Sequence, residues 1–285
     1  MLTRQRAQAV YVGKAAARRL RWALPDLLDR AGGDRPPTPP RRLSYVGGGD
    51  FHQTGHEYLG LFKDLGGLRP DHHVLDVGCG IGRMAVPLMS YLADTGSYAG
   101  FDVGRSMIAW CQKNITSKRK DFAFEWAPVY NQKYNPFGTL SASEFRFPYP
   151  DKSFDFIFAT SLFTHLTLSD TAHYLVEIDR VLADGGTCLL TFFLLRAESL
   201  AEIEAGRASL DFRFPIPGGL TINRHEPEAA VAFDLDAIEA TFARTSLTIC
   251  PPIHFGLWAN TPGGAAGQDI VLARRGTSSP PRSAH

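Results

Sequence analysis

The residues best suited to chemistry in this sequence form a glycine-rich turn after a short apolar segment. Gly78, Gly80 and Gly82 alternate with other residues directly after the apolar run 74–77, and a helix-like pattern follows. Glycine lacks a Cβ, so the backbone can turn sharply there and approach a ligand closely. Backbone N–H groups at the start of a helix suit an anionic or polar ligand, and we expect those of this turn to be free to face one. The pattern predicts a cofactor cradle between a buried strand and a helix N-terminus.

The spacing of the glycines separates two classes of adenosine-containing cofactor. A dinucleotide fingerprint has its third glycine at position 83, which is Arg83 in this sequence. A second apolar segment, 98–101, ends in Asp102, whose carboxylate can accept hydrogen bonds from both hydroxyls of a ribose. NAD and S-adenosylmethionine (SAM) both offer that ribose, so Asp102 alone does not separate them. The glycine spacing favours SAM and disfavours an NAD-dependent oxidoreductase.

In combination, these motifs resemble the class I SAM-dependent methyltransferases, including bacterial small-molecule enzymes, over residues 57–274. The resemblance is carried by Asp76-x-Gly78-x-Gly80-x-Gly82, Asp102, the proline-bearing turn before the apolar segment 154–159, and the pair Gly185-Gly186. It implies an α/β fold with a doubly wound, mostly parallel seven-stranded sheet, to which this chain adds an N-terminal helical extension and a lid insertion after strand five.

The resemblance also implies where the cofactor binds. Asp76 and the glycines would position the methionine end of SAM, and Asp102 would hold the ribose. Family members often carry an acid after the third strand that accepts from the adenine amino group, but residues 127–131 contain none. We expect Asn131 to accept that hydrogen bond instead, and Tyr130 to stack on the adenine. The full set of expected cofactor contacts is Asp76, Gly78, Cys79, Gly80, Gly82, Asp102, Val103, Met107, Tyr130, Asn131, Ser161 and Leu162.

His165 is the candidate catalytic base. It follows the apolar segment 154–159, and ligands of open α/β sheets bind beyond the carboxyl ends of strands near a change in strand order. A histidine with a pKa of about 6.5 is mostly neutral at physiological pH and can take a proton from a hydroxyl or amine. The alternative is that His165 only begins the next helix or shapes the pocket. The expected acceptor contacts are Phe51, His56, Phe163, Thr164, His165 and Phe214; no metal ligand is expected.

Composition divides the chain into three parts. Residues 1–45 hold ten Lys/Arg and three acids, and predict a basic helix over 6–23 followed by a proline-rich linker. We expect the methyltransferase domain at 46–275 and a disordered tail at 276–285. Within the domain we expect a glycine-rich loop over 45–56 before the first helix, strands at 122–126 and 154–159, and an irregular or hairpin lid at 196–233. Three interpretations of the basic helix stay open: packing on the core or on a second subunit as a homodimer, contact with an anionic membrane surface, or a targeting presequence.

Charge and cysteine content argue against several other functions, although the basic N-terminus keeps a nucleic-acid substrate open. The net charge of +1 gives no overall signature of nucleic-acid binding. The four cysteines include no C-x-x-C pair, which argues against a disulfide framework or a zinc site. No apolar run reaches the roughly 18 residues that would span a bilayer, so we expect a soluble, cytoplasmic protein.

The sequence thus predicts methyl transfer from SAM to an oxygen or nitrogen acceptor on a small molecule such as a natural product, sugar or glycolipid. The alternatives are a non-catalytic SAM-binding partner or sensor module, and a methyltransferase acting on a macromolecule.

Overall fold

A computed structural model describes residues 4–28, 36–45, 47–260 and 267–277. Most of the predicted tail at 276–285 therefore lies outside the described residues. The described helices are α1 (Arg4–Leu28), α2 (Phe51–Asp64), α3 (Ala85–Tyr91), α4 (Arg105–Cys111), α5 (Leu168–Val181), α6 (Ala197–Glu204) and α7 (Leu235–Phe242). The described strands are β1 (His73–Val77), β2 (Ser97–Asp102), β3 (Phe122–Trp126), β4 (Phe154–Ala159), β5 (Leu182–Phe192), β6 (Leu194–Leu195), β7 (Phe214–Ile216), β8 (Gly219–Thr221), β9 (Val231–Asp234), β10 (Leu247–His254) and β11 (Asp269–Arg275).

The main sheet has seven strands in the order β10-β11-β5-β4-β1-β2-β3. Its strands are parallel except β11, which runs antiparallel to both β5 and β10. The chain order changes direction between β1 and β4, which pair in parallel. This confirms the predicted doubly wound, mostly parallel sheet, and it places the crevice for a ligand at the carboxyl ends of β1 and β4.

Both faces of the sheet are covered, which explains the uninterrupted apolar sequence of its central strands. Phe156, Ile157 and Phe158 of β4 are each fully buried. Ile157 packs into the layer that contains α5 and α7, whereas the two phenylalanines pack into the layer that contains α2, α3 and α4. The Phe62 ring of α2 stacks on Phe158 with ring centroids 4.3 Å apart. Each such buried ring stabilises the fold by about 1.5 to 3 kcal/mol.

Two helices on the N-terminal side differ from the predicted boundaries. Helix α1 spans 25 residues rather than the predicted 6–23. Helix α2 begins at Phe51, because the Asp50 carboxylate accepts from the N–H groups of His52 and Gln53 and caps the helix. The predicted glycine-rich loop extends to residue 56, whereas in the structure this loop ends at the Asp50 cap.

The insertion after β5 is an ordered unit. Strands β6 to β9 form a separate four-stranded sheet in the order β6-β9-β8-β7, and α6 connects β6 to β7 along the chain. Phe193, Phe212 and Trp258 build its own apolar cluster, with ring centroids 5.2 to 5.5 Å apart. The segment 196–233, predicted to be irregular or a hairpin, contains the β7–β8 hairpin, which β9 and β6 extend into a sheet.

Candidate active site

The glycine turn joins β1 to the N-terminus of α3 and has the predicted backbone conformation. Gly78, Gly80 and Gly82 have φ angles of +84°, +53° and +74°, in the left-handed region that favours glycine. The N–H groups of Gly78 and Cys79 both donate to the Phe101 carbonyl at 3.0 Å, and Gly80 N–H donates to Asp102 Oδ2 at 2.9 Å. The expectation that these amides are free to face a ligand is therefore wrong. These hydrogen bonds hold the turn against β2. The turn can therefore contribute to ligand binding through the space that its glycines leave open, not through these three N–H groups.

Space around the turn is consistent with a cradle. A Cβ added to Gly80 would meet no atom within 4 Å, so open space lies in front of it. A Cβ on Gly78 would lie 3.2 Å from Leu162 Cδ1, which brings the end of β4 against the turn. Gly82 faces inward, where a Cβ would lie 2.8 Å from Ile115 and 3.1 Å from Cys111 Sγ. Gly80 and Leu162 therefore border the same crevice, and Gly82 packs α3 onto the segment that follows α4.

Asp102 ends β2 beside this turn. Its Oδ2 accepts from Gly80 N–H and its Oδ1 from Gly104 N–H at 2.7 Å. Burial raises the pKa of this carboxyl, and the two N–H donors lower it. A carboxylate has about four acceptor positions, so two remain for the hydroxyls of a ribose. Met107 supports this segment from below, since a Cβ on Gly104 would overlap its methyl group.

Asp76 lies in β1, where it is 1% exposed. Its Oδ2 accepts from Tyr98 O–H at 2.7 Å, and its Oδ1 has no hydrogen-bond partner among the described residues. Burial raises the pKa of Asp76 to about 8, so the carboxyl is mostly protonated at neutral pH. A buried polar atom without a partner is unusual in a folded protein, and it fits a site completed by a ligand. The residues around the turn therefore fit the ribose and amino-acid parts of SAM.

The carboxyl end of β4 holds a strained residue. Ser161 has φ +57°, which is rare outside glycine and asparagine and is found most often at functional sites. Its N–H donates to Thr191 Oγ1 at 2.8 Å. Both its hydroxyl and that of Thr191 donate to Gln268 Oε1, at 3.2 and 2.7 Å. Gln268 thus ties the ends of β4 and β5 together, a role that no local sequence pattern indicates.

Two residues predicted to contact the acceptor belong to the interior. Phe163 is fully buried and stacks on Phe192 with ring centroids 4.8 Å apart. Thr164 is 1% exposed and donates to the Ser161 carbonyl at 3.3 Å. Both side chains form part of the core under the site, so the prediction that they line the acceptor pocket is corrected.

His165 ends the same short helical turn, and its environment fixes its tautomer. Its Nδ1 lies 2.9 Å from the Glu228 carbonyl, which can only accept, so Nδ1 carries the proton and Nε2 carries the lone pair. Burial lowers the pKa of His165, and the Lys133 charge lowers it further. The Tyr134 ring packs edge-on against the imidazole at 5.5 Å. The result is a neutral imidazole with an acceptor nitrogen and a fixed orientation.

Asn131 is not available for the expected adenine contact. Asn131 Oδ1 accepts from the N–H groups of Lys133 and Tyr134, at 3.0 and 2.9 Å, which uses both of its lone pairs. Its Nδ2 donates to Glu228 Oε2 at 2.8 Å. Asn131 therefore shapes its own loop, and its predicted role as adenine acceptor is corrected. The sequence does not distinguish the two roles of Asn131, because an asparagine can form an Asx turn as well as an adenine contact.

Tyr130 lines a polar cavity of about 250 Å³ with Arg4, Ser141, Asp170 and Glu228. The Arg4 guanidinium lies 5.1 Å from the centre of the Tyr130 ring, so the ring has a cationic partner from α1. Burial, with a smaller contribution from the Asp170 charge, raises the pKa of Glu228 to about 7. Glu228 connects this cavity to His165, because its carbonyl holds the imidazole while its carboxyl lines the cavity. No sequence motif pointed to Glu228.

The segment before β1 covers the turn. Arg83 donates to the Gly48 carbonyl at 2.6 Å and lies over the Phe51 ring, so loop 47–49 rests on the start of α3. Tyr45 follows α1 and the linker; the Arg18 guanidinium lies 4.0 Å from its ring centre. Burial holds the pKa of Tyr45 above its usual value, with smaller contributions from Tyr11 and Asp102.

The remaining predicted acceptor contacts lie in three different places. Phe51 is 9% exposed in the core beneath Arg83. His56 is exposed on α2. Phe214 lies on β7, the outer strand of the small sheet, with the Arg224 guanidinium 5.3 Å from its ring centre. The structure therefore does not gather these three side chains into one acceptor pocket.

Comparison with known proteins agrees with this geometry. Residues 75–190, from β1 to β5, match the family model of the methyltransferase domain. The PH0226 protein from Pyrococcus horikoshii OT3 is 13% identical with a TM-score of 0.55, over 82% of this chain and 95% of that chain. A putative sarcosine dimethylglycine methyltransferase from Galdieria sulphuraria is 15% identical with a TM-score of 0.51, over 79% of this chain and 86% of that chain.

A third similar structure contains a product of the cofactor. It is the magnesium protoporphyrin IX methyltransferase from Synechocystis PCC 6803 with bound SAH, which is 15% identical with a TM-score of 0.49, over 82% of this chain and 92% of that chain. At these identities, the similarity to solved structures shows the fold.

Proposed function

We propose that this chain, a member of the class I SAM-dependent methyltransferases, transfers the methyl group to an oxygen or nitrogen atom of a small-molecule acceptor with His165 as the base. SAM supplies a methyl group already activated on a sulfonium. As the acceptor lone pair forms the new bond to that carbon, the carbon–sulfur bond breaks and sulfur keeps its electron pair. The proton of the acceptor passes to His165 Nε2.

The observation that carries this proposal is the hydrogen bond from His165 Nδ1 to the Glu228 carbonyl at 2.9 Å. It fixes the tautomer in which Nε2 can accept a proton, and it holds the ring at the end of β4. Leu162, three residues earlier, contacts the position of the Gly78 Cβ, so this segment borders the cofactor cradle. A lowered pKa keeps the imidazole neutral at physiological pH, as a base requires.

The polar cavity supports a small acceptor with a hydroxyl or amine group. It holds about 250 Å³, and its lining includes Ser141, Asp170 and Glu228, which can accept hydrogen bonds from such groups. Natural products, sugars and glycolipid headgroups carry them. Positioning the acceptor against the methyl group supplies up to roughly 7 to 11 kcal/mol of the barrier, and a base supplies about 100-fold or more.

The test is a screen of small acceptors with labelled SAM, followed by His165→Ala on the acceptor found. We expect kcat/KM to fall by about 100-fold or more, while the Kd for SAM stays unchanged. His173→Ala is the matched control. His173 lies in α5, and its Nε2 also forms a hydrogen bond with a backbone carbonyl, that of Phe145. Full turnover by His165→Ala would refute its role as base. Labelling of a macromolecule with no small-molecule product would refute the acceptor class.

A further inference from the structure

Helix α1 turns its aromatic and polar side chains toward the protein. Tyr11 packs edge-on against Phe137 with ring centroids 6.2 Å apart, and Arg18 packs on Tyr45. Asp26, near the end of the helix, is 4% exposed; it accepts from the Arg41 N–H and pairs with Arg42 at 2.6 Å. These contacts fix one face of α1 on the body of the protein and leave the other face outward.

The outward face is apolar, the reverse of an ordinary surface helix. Leu20 and Leu24 are 82% and 65% exposed, and Val10 and Val12 are 42% and 56% exposed. At 3.6 residues per turn, the exposed apolar and small residues cover about 160° of the circumference. They are Ala9, Val10, Val12, Gly13, Ala16, Ala17, Leu20, Ala23 and Leu24.

Basic residues flank this apolar face on both sides. Lys14 and Arg21 lie along one edge, Arg19 lies along the other, and all three are exposed. Asp26 is the only acidic residue of α1, and it is buried against Arg42. Between residues 9 and 24 the outward half of the helix is therefore apolar in the middle and cationic at its edges, and the exposed Arg6 adds a further cation to the same face in the first turn. None of the helices described is long and apolar enough to cross a membrane, so a surface contact is the relevant kind.

We propose that this face of α1 docks on an anionic lipid surface, with Val10, Leu20 and Leu24 in the acyl boundary and the basic edges at the headgroups. Charge decides between a bilayer and a second copy of the chain. Two copies packed through this face would bring basic edges together, with no acid on the outward face of either helix to pair with them. Anionic headgroups neutralise them, at about 1 kcal/mol for each Lys or Arg near the surface.

Docking would also hold the polar cavity near the bilayer. The inward face of the same helix contacts that cavity through Arg4 and covers Tyr45 through Arg18. A helix is about 10 to 12 Å across, so these residues would lie about one helix diameter from the lipid headgroups. The proposal does not depend on which acceptor the enzyme methylates.

The experiment is co-sedimentation of the full chain with vesicles of phosphatidylcholine alone and of phosphatidylcholine with phosphatidylglycerol. We expect binding to the anionic vesicles only, and weaker binding as salt rises. Lys14→Gln with Arg19→Gln should weaken it about 30-fold, from about 1 kcal/mol per charge. Leu20→Gln with Leu24→Gln should weaken it by at least about tenfold, since each leucine loses its apolar burial.

The matched control is Leu200→Gln with Leu257→Gln, two leucines that are 44% and 56% exposed elsewhere on the protein. This control should bind anionic vesicles like the unchanged chain. Circular dichroism of each variant checks that the fold is retained. Equal vesicle binding by the Leu20/Leu24 variant would overturn the proposal. An absence of vesicle binding would also overturn it. If light scattering then finds a dimer that the Leu20/Leu24 variant does not form, the face binds a second copy of the chain instead of lipid.

Discussion

Asp76 is buried in β1 and His165 is half-buried after β4, and burial shifts the pKa of each toward its neutral form. For Asp76 the neutral form is the protonated acid, with a pKa of about 8; for His165 it is the free imidazole. The same physical cause thus removes a negative charge beneath the turn and keeps a proton acceptor available at the end of β4. Each shift leads to a measurable dependence on pH.

Asp76 should make the protein without SAM less stable as pH rises. Its folded pKa lies above its unfolded value of 3.8, so the stability it contributes is present below that value and is lost as pH rises toward about 8. The loss is at most about 1.4 kcal/mol per pH unit across that window. Urea unfolding should show this slope in the unchanged protein, and a flatter one in Asp76→Asn, which cannot ionise. Parallel slopes in the two proteins would contradict it.

His165 should set the acidic limb of the pH–rate profile. A base acts in its deprotonated form, so kcat/KM should rise with pH through the pKa of His165 and then level off. Because burial lowers that pKa, the midpoint should lie below the usual histidine value of 6.5. His165→Gln should lose this limb along with most of its activity. A midpoint above 6.5 would show that another group is the base.

At the scale of elements, two glycines of the turn have different surroundings. Gly80 faces open space, and Gly82 faces the packed segment that contains Cys111 and Ile115. Both have positive φ, so alanine costs about 1 to 2 kcal/mol in backbone strain at either position. They differ in what the added methyl group meets, which makes them a matched pair.

Gly80→Ala should mainly weaken SAM binding, because its methyl group would project into the cradle. Overpacking costs about 1 to 3 kcal/mol, or about 5- to 150-fold in Kd by isothermal titration. Gly82→Ala should mainly lower the free energy of unfolding, by about 2 to 5 kcal/mol, since its methyl group would push on Ile115. Unchanged SAM affinity in Gly80→Ala would place the cofactor elsewhere.

Strands and their order were predictable from sequence, and hydrogen-bond partners were not. The predicted bounds Phe154–Ala159 are those of β4, because an apolar run covered on both faces has clear ends. The predicted bounds Phe122–Trp126 are those of β3, an edge strand in which only Phe122 and Phe124 are buried. The start of α2 was missed because the cap at Asp50 was not recognised. The use of the turn amides by Phe101 and Asp102 depends on β2, which is distant in sequence.

Across the whole molecule, the N-terminal extension is the part that sequence described least well. Its basic composition was evident, but which face of α1 turns outward depends on partners as far away as Phe137 and Gly138. The structure shows those partners and leaves the leucines outward. It also brings Arg4 and Glu228, which are far apart in sequence, to one cavity, and the Glu228 carbonyl holds His165. The candidate site is thus a property of the complete chain, not of the matched segment 75–190 alone.

The most direct test of the proposed site is a crystal structure of this protein with S-adenosylhomocysteine bound. The ribose hydroxyls should donate to Asp102, and the homocysteine should lie against Gly80. The sulfur should lie within about 8 Å of His165 Nε2, the sum of a carbon–sulfur bond, a near-attack distance and a hydrogen bond. A sulfur atom that lies farther away, or is separated from the imidazole by the core, would contradict the assignment of His165.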